Sequence, residues 1–190
     1  MDKRITAIYD KIKKLEDELE KEIFEAGKEF QYTIAKKRIL FEKGVIAYHK
    51  TFRKTVFRFI READFLNALT TPVIYSLIFP MVALDITITV FQFICFPIYG
   101  IKKVPRGDFI AIDRHHLKYL NIIEKVNCAY CGYAGGLASW FREVSARTEE
   151  FWCPIKHARK LKNPHSKYSG FLEYGDAKGY RERMIKKGGE

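Results

Sequence analysis

Three cysteines and a histidine stand in two short clusters: Cys128 and Cys131 in "NCAYCGYAGG" (127–136), and Cys153 and His157 in "FWCPIKH" (151–157). A Cys-x-x-Cys knuckle presents two thiolates from one turn, and a third thiolate with an imidazole completes a tetrahedral zinc set. Iron or an iron-sulfur cluster is the alternative, because the residue set does not separate the metals. Gly132, Gly135 and Gly136 allow tight backbone geometry beside the knuckle. Two other readings use the same residues. Cys153, placed at the start of a helix opened by Pro154 and close to Lys156 and His157, is a candidate nucleophilic or redox thiol. Packed beside Trp140 and Trp152, the cysteines are simply small core residues.

The elements between the clusters decide whether the four ligands meet. Leu137, Trp140, Phe141, Val144, Thr148 and Phe151 follow helical spacing. A helix over 136–152 is about 25 Å long, and a linker over 131–136 reaches back only about 17 Å. The four residues therefore meet within one chain only if the helix is shorter, roughly 137–148. Otherwise the clusters lie at opposite ends and a shared metal requires two chains. Pro154 predicts that the helix stops before Cys153 and that a new one follows, with His157 one turn in. His115 and His116 in "DRHHLKY" read as interface or core residues, or as replacements for His157.

The strongest compositional signal lies upstream. From Phe65 to Ile101, about 37 residues, there is no Lys, Arg or Glu and one acid, Asp85; roughly 20 apolar residues suffice to cross a bilayer. The run sits far from the N-terminus and has no small-residue cleavage site after a short apolar core, so it is not a signal peptide. Pro72, Pro80 and Pro97 punctuate it. One kinked helix over 72–97 would put Asp85 near the bilayer centre, where an ionised carboxylate costs several kcal/mol. A hairpin turning between Pro80 and Asp85 would put the acid at its tip and keep both flanks on one side, and this is the preferred arrangement.

Both flanks are basic. Lys36, Lys37, Arg38, Lys43, Lys50, Arg53, Lys54, Arg58 and Arg61 precede the run, and Lys102, Lys103, Arg106, Arg114 and Lys118 follow it. Of these, Lys50, Arg53, Lys54, Arg58, Arg61, Lys102 and Lys103 are the candidate membrane-surface cations. The chain has 34 Lys and Arg against 23 Asp and Glu, a formal charge of +11. Such an excess seeks an anionic partner, and cations gathered at both ends of an apolar run fit phospholipid better than nucleic acid. The positive-inside tendency places both flanks in the cytoplasm. Disulfides are disfavoured there, which turns the cysteines towards metal binding.

Two helical stripes precede the apolar run. Ile5, Ile8, Ile12, Leu15 and Leu19 alternate three and four apart, a short coiled-coil-like seam weakened at Glu22 and Gly27. It supports either homo-oligomer formation or packing on the rest of the chain. Phe41, Val45, Tyr48, Phe52, Val56 and Phe59 form a second stripe with a cationic opposite face, suited to the membrane interface.

No Walker-type phosphate loop, dinucleotide glycine fingerprint, nucleophile elbow or His-Glu-x-x-His motif is present. The Cys-x-x-Cys-Gly-Tyr-Ala segment at 128–134 and the Trp-Cys-Pro-Ile-Lys-His-Ala segment at 152–158 resemble those of an uncharacterised bacterial membrane-protein family, over residues 70–160. The resemblance implies a bacterial membrane origin, which with cytoplasmic flanks means the inner membrane, and transfers no activity.

These readings combine into a mainly α, membrane-anchored protein. Residues 1–64 form an amphipathic arm, 65–101 a membrane hairpin or single span, 102–160 a small helical Cys/His metal-knuckle domain and 161–190 a basic flexible tail. The expected role is structural or adaptor work at the cytoplasmic membrane surface. A membrane metalloenzyme or redox protein is the alternative.

Overall fold

The starts of several helices are set by local capping chemistry. In the computed structural model, which describes residues 3–28, 32–35, 38–41 and 43–188, the protein is mainly helical. The chain divides into two compact units, 1–69 with 112–130 and 70–111 with 131–190.

The first unit begins with α1 (Lys3–Lys28). Ile8, Ile12, Leu15, Leu19 and Ile23 lie exposed along it; the side chain of Ile5 falls outside the described residues. Strands β1 (Tyr32–Ala35) and β2 (Arg38–Phe41) pair antiparallel, Tyr32 opposite Phe41 and Ala35 opposite Arg38. Helices α2 (Lys43–Thr51) and α3 (Val56–Glu62) follow. The second stripe expected from the sequence is thus not one helix: Phe41 belongs to a strand, and the chain breaks over 52–55. The break is fixed by Thr55, whose hydroxyl caps α3 by accepting from the Arg58 N–H at 3.4 Å. Asp64 accepts from the Leu66 N–H at 3.0 Å as α4 (Phe65–Ser76) begins.

The capping box at the start of α6 (Ile122–Trp152) accounts for the longest helix. Asn121 Oδ1 accepts from the N–H groups of Ile123 and Glu124, and Glu124 accepts from the Asn121 N–H at 2.8 Å. Pro154, which has no N–H to donate, ends the helix before Cys153, as expected. The start is the correction. The helix opens at Ile122 rather than near 136, so Cys128, Cys131 and all three glycines lie inside it.

The second unit is built on α5 (Ile78–Ile98) and the later turns of α6. A strap over 101–111 runs back between them. Ile88 and Phe96 of α5, Val104 of the strap, and Leu137, Trp140 and Val144 of α6 form the core. The strap's turn is made by Gly100, at φ 67°, which closes α5 with bonds from the Gly100 N–H to Pro97 O (3.3 Å) and from the Ile101 N–H to Phe96 O (2.8 Å). The chain beyond Pro154 is not a helix. Leu172 donates to Pro154 O and Lys156 to Leu172 O, forming a parallel bridge between Ile155 and Leu172. The basic tail also carries structure: Phe171 is buried, and α7 (Ala177–Gly188) ends the described chain.

Candidate functional site

The apolar tract Phe65–Ile98 forms a helical run of 34 residues, long and apolar enough to cross a membrane, with 6% of its most apolar window buried. The expected hairpin is absent. Pro80 sits in the first turn of α5, where N–H groups have no intrahelical partner, so it opens the helix instead of reversing the chain. The discontinuity falls at Leu77, between α4 and α5.

The faces of α5 differ. Ile88, Gln92 and Phe96 are buried against the strap and α6. Phe79, Val82, Ile86, Val90 and Phe93 form an exposed apolar stripe spaced three and four apart, and Phe79, Phe93 and Ile98 each expose 71–76% of their surface.

Polar contacts fix the buried face. Asp85 receives Arg106 Nη2 at 2.6 Å and Arg106 Nε at 3.0 Å, while the Tyr133 hydroxyl donates to it at 3.0 Å. Asp85 is therefore paired within one chain, and neither hairpin tip nor lone acid. The bond to Asp85 raises the Arg106 pKa. Burial, then the same carboxylate, raises that of Tyr133. Gln92 Oε1 accepts from the Val104 N–H at 2.8 Å, and Trp140 Nε1 donates to Val104 O at 3.0 Å. Both backbone groups of Val104 are thus satisfied by side chains, which lets extended backbone lie in a core.

The glycines of the Cys-x-x-Cys segment make room for this strap. A Cβ at Gly136 would stand 2.6 Å from Phe109 O and 2.7 Å from Ile110 Cα, and one at Gly132 would stand 2.8 Å from Ala111 O. Gly132 and Gly136, one turn apart, permit a backbone approach that any side chain would block. Gly135 meets nothing within 4 Å.

The two Cys/His clusters do not converge in one chain. Cys131 and Cys153 are about 33 Å apart along the axis of α6. Among the described residues, no three His, Cys, Asp or Glu side chains are grouped to hold a metal. A ligand set drawn from both clusters therefore requires two chains. Cys153 is exposed beside an apolar groove lined by Leu84, Phe91 and Trp152, and lies past a helix C-terminus rather than at an N-terminus. His157 is exposed, with its N–H donating to the Tyr168 hydroxyl at 2.7 Å.

The candidate surface cations Lys50, Arg53, Lys54, Arg58, Arg61, Lys102 and Lys103 are all exposed. Lys54 and Arg58 share Glu62, at 2.8 and 2.6 Å. Hydrogen bonds from Arg58, then Lys54, hold the Glu62 carboxyl down at about 2. Lys103 Nζ lies 4.7 Å from the centre of the Phe93 ring, covering part of the exposed stripe. Sequence reading did not find Arg106, Tyr133 or Gln92 as partners. A glutamine within an apolar run was the available signal.

No family model matches the chain, and neither a curated protein nor a solved structure is significantly similar to it.

Proposed function

We propose that this chain is a membrane-anchored structural or adaptor protein at the cytoplasmic face of a bacterial inner membrane. The observation that carries the proposal is the apolar tract Phe65–Ile98, most of whose side chains are exposed. Exposed apolar area this continuous marks a membrane or protein contact, and the cations Lys102 and Lys103 at its end fit anionic phospholipid.

The pairing of Asp85 with Arg106 limits how α5 sits. The strap returns beside α5 and carries Lys102, Lys103, Arg106 and Asp108, all exposed. Taking α5 upright into hydrocarbon would bring these charges with it, at several kcal/mol each. Seating α5 along the interface, with Phe79, Val82, Ile86 and Val90 in lipid, leaves Arg106 and Asp108 in water and puts Lys103, whose ammonium lies over the Phe93 ring, at the headgroup level. This arrangement keeps the cytoplasmic placement expected from the basic flanks without a hairpin.

An adaptor also needs a protein-facing surface. The exposed seam Ile8, Ile12, Leu15, Leu19 and Ile23 suits a second copy of α1. A zinc or iron site from Cys128, Cys131, Cys153 and His157 enters this reading only between two chains. The resemblance of 128–134 and 152–158 to a bacterial membrane-protein family supports the cellular setting.

Alkaline carbonate extraction followed by flotation tests the anchor. The full chain is expected to remain with the membrane and float with lipid. Release into the soluble fraction at alkaline pH would overturn the proposal.

A further inference from the structure

Four cations from four separate segments line one cavity of the second unit. Lys102 comes from the strap, Arg147 from α6, Lys167 from the residue before the short turn Tyr168–Gly170, and Arg183 from α7. The cavity is about 420 Å³, its other walls are Gly100, Ile101 and Phe151, and Glu150 is the one carboxylate among its lining residues.

Three of the four charges are held by other groups of the unit, Arg183 by a 3.4 Å bond from Nη1 to Gly170 O, which distinguishes this cavity from a solvated basic surface. Arg147 Nε donates to Glu143 at 2.8 Å and Arg147 Nη1 to Lys102 O at 2.7 Å. These bonds fix the guanidinium plane and leave Nη2 without a partner among the described residues. Lys167 is steadied by Glu150 at 2.7 Å. The ammonium of Lys102 has no partner among the described residues, and its carbonyl is the group that Arg147 grips. Like charges gathered from distant parts of a chain repel one another, so their convergence on one cavity is favourable when an anion shares them. A guanidinium fixed by two bonds and flanked by Lys102 and Lys167 matches the oxygens of a phosphate, which take several charge-assisted hydrogen bonds at once.

We infer that this cavity binds a phosphate group through Lys102, Arg147, Lys167 and Arg183. The site stands on these cations alone and does not depend on the anchoring of α5. Its ligand is a phosphate ester carried by a phospholipid headgroup or by a soluble metabolite. The second unit would then join membrane or metabolite sensing to the adaptor role.

Titration of the full-length, detergent-solubilised protein with inorganic phosphate and pyrophosphate, and of the same protein with nanodiscs of phosphatidylcholine alone or mixed with phosphatidylglycerol, tests the inference. Lys102→Gln with Arg183→Gln removes one ammonium that has no partner among the described residues and one guanidinium whose bond is a 3.4 Å contact from Nη1 to Gly170 O. That pair is expected to weaken binding roughly tenfold or more, whereas Lys160→Gln, an exposed cation outside the cavity, should leave it unchanged. Residue-dependent binding of phosphate or pyrophosphate would assign a soluble source. Residue-dependent binding seen only with phosphatidylglycerol would assign a lipid headgroup. Equal binding by the double variant and the wild type, or no binding of any probe, would overturn the site. A protein that fails flotation yet binds pyrophosphate through these residues would refute the anchor and retain the cavity.

Discussion

Asp85 and Arg106 are joined by a two-pronged ion pair, with Nη2 to Oδ2 at 2.6 Å and Nε to Oδ1 at 3.0 Å, across 21 positions of sequence. The pair pins the returning strap to α5. Asp85 is shielded, with 14% of its side chain exposed, whereas Arg106 is 46% exposed and partly screened by water. Replacing Asp85 by Asn should therefore cost about 1–2 kcal/mol, less than a fully buried pair would. For a chain of this size that lowers the thermal midpoint by roughly 2–8 °C. Differential scanning fluorimetry in detergent measures it; an unchanged midpoint would mean that the strap is held without the pair.

The Cys-x-x-Cys segment should respond to substitution as a packing surface. Gly136→Ala drives a methyl into the backbone of Phe109 and Ile110 and should destabilise the second unit by about 1–3 kcal/mol. Gly135→Ala, with nothing within 4 Å, should be neutral or slightly stabilising through helix propensity. Cys131→Ser, at an exposed position, should leave the midpoint of a single chain unchanged. Chemical denaturation of the three variants separates packing from a metal-held knuckle, because a knuckle would fail with the cysteine and tolerate the alanines.

The Glu62 carboxyl gives a pH signature. Its pKa is lowered from 4.5 to about 2 by Arg58 and Lys54. A depressed folded pKa means the contribution is fully present above 4.5 and is lost as pH falls towards 2. Because the group is solvent-exposed, the effect is local to α3 and screened by salt. Carboxyl NMR titration should find Glu62 ionised at pH 3, and Arg58→Gln should shift its midpoint upward. A midpoint already at the ordinary value in the wild type would show that the ion pairs do not persist in solution.

The helical class and the apolar tract were legible because composition and spacing report them directly. The end of α6 was legible too, since Pro154 cannot continue a helix. The position of Cys128 and Cys131 was not. Glycines at 132, 135 and 136 read as a turn when local propensity is the guide, but burial of the strap against Gly132 and Gly136 stabilises a helix through them. The same long-range packing hid the role of Asp85, whose partners lie 21 and 48 positions away. The β1–β2 pair escaped because its strands are four residues each, too short for a clear period. The ordered tail escaped because its anchors reach back to earlier parts of the chain, among them buried Phe171, the bridge of Leu172 to Ile155 and the bonds from Arg142 to Asn163 O and Pro164 O.

Seating α5 along the lipid interface is tested most directly by spin labels in bilayers. With the four native cysteines replaced, a label at Ile86 or Val90 should be accessible to oxygen and shielded from a water-soluble relaxant, while one at Asp108 shows the reverse. Labels at Ile86 and Val90 exposed to the aqueous relaxant in the presence of lipid would contradict the anchor.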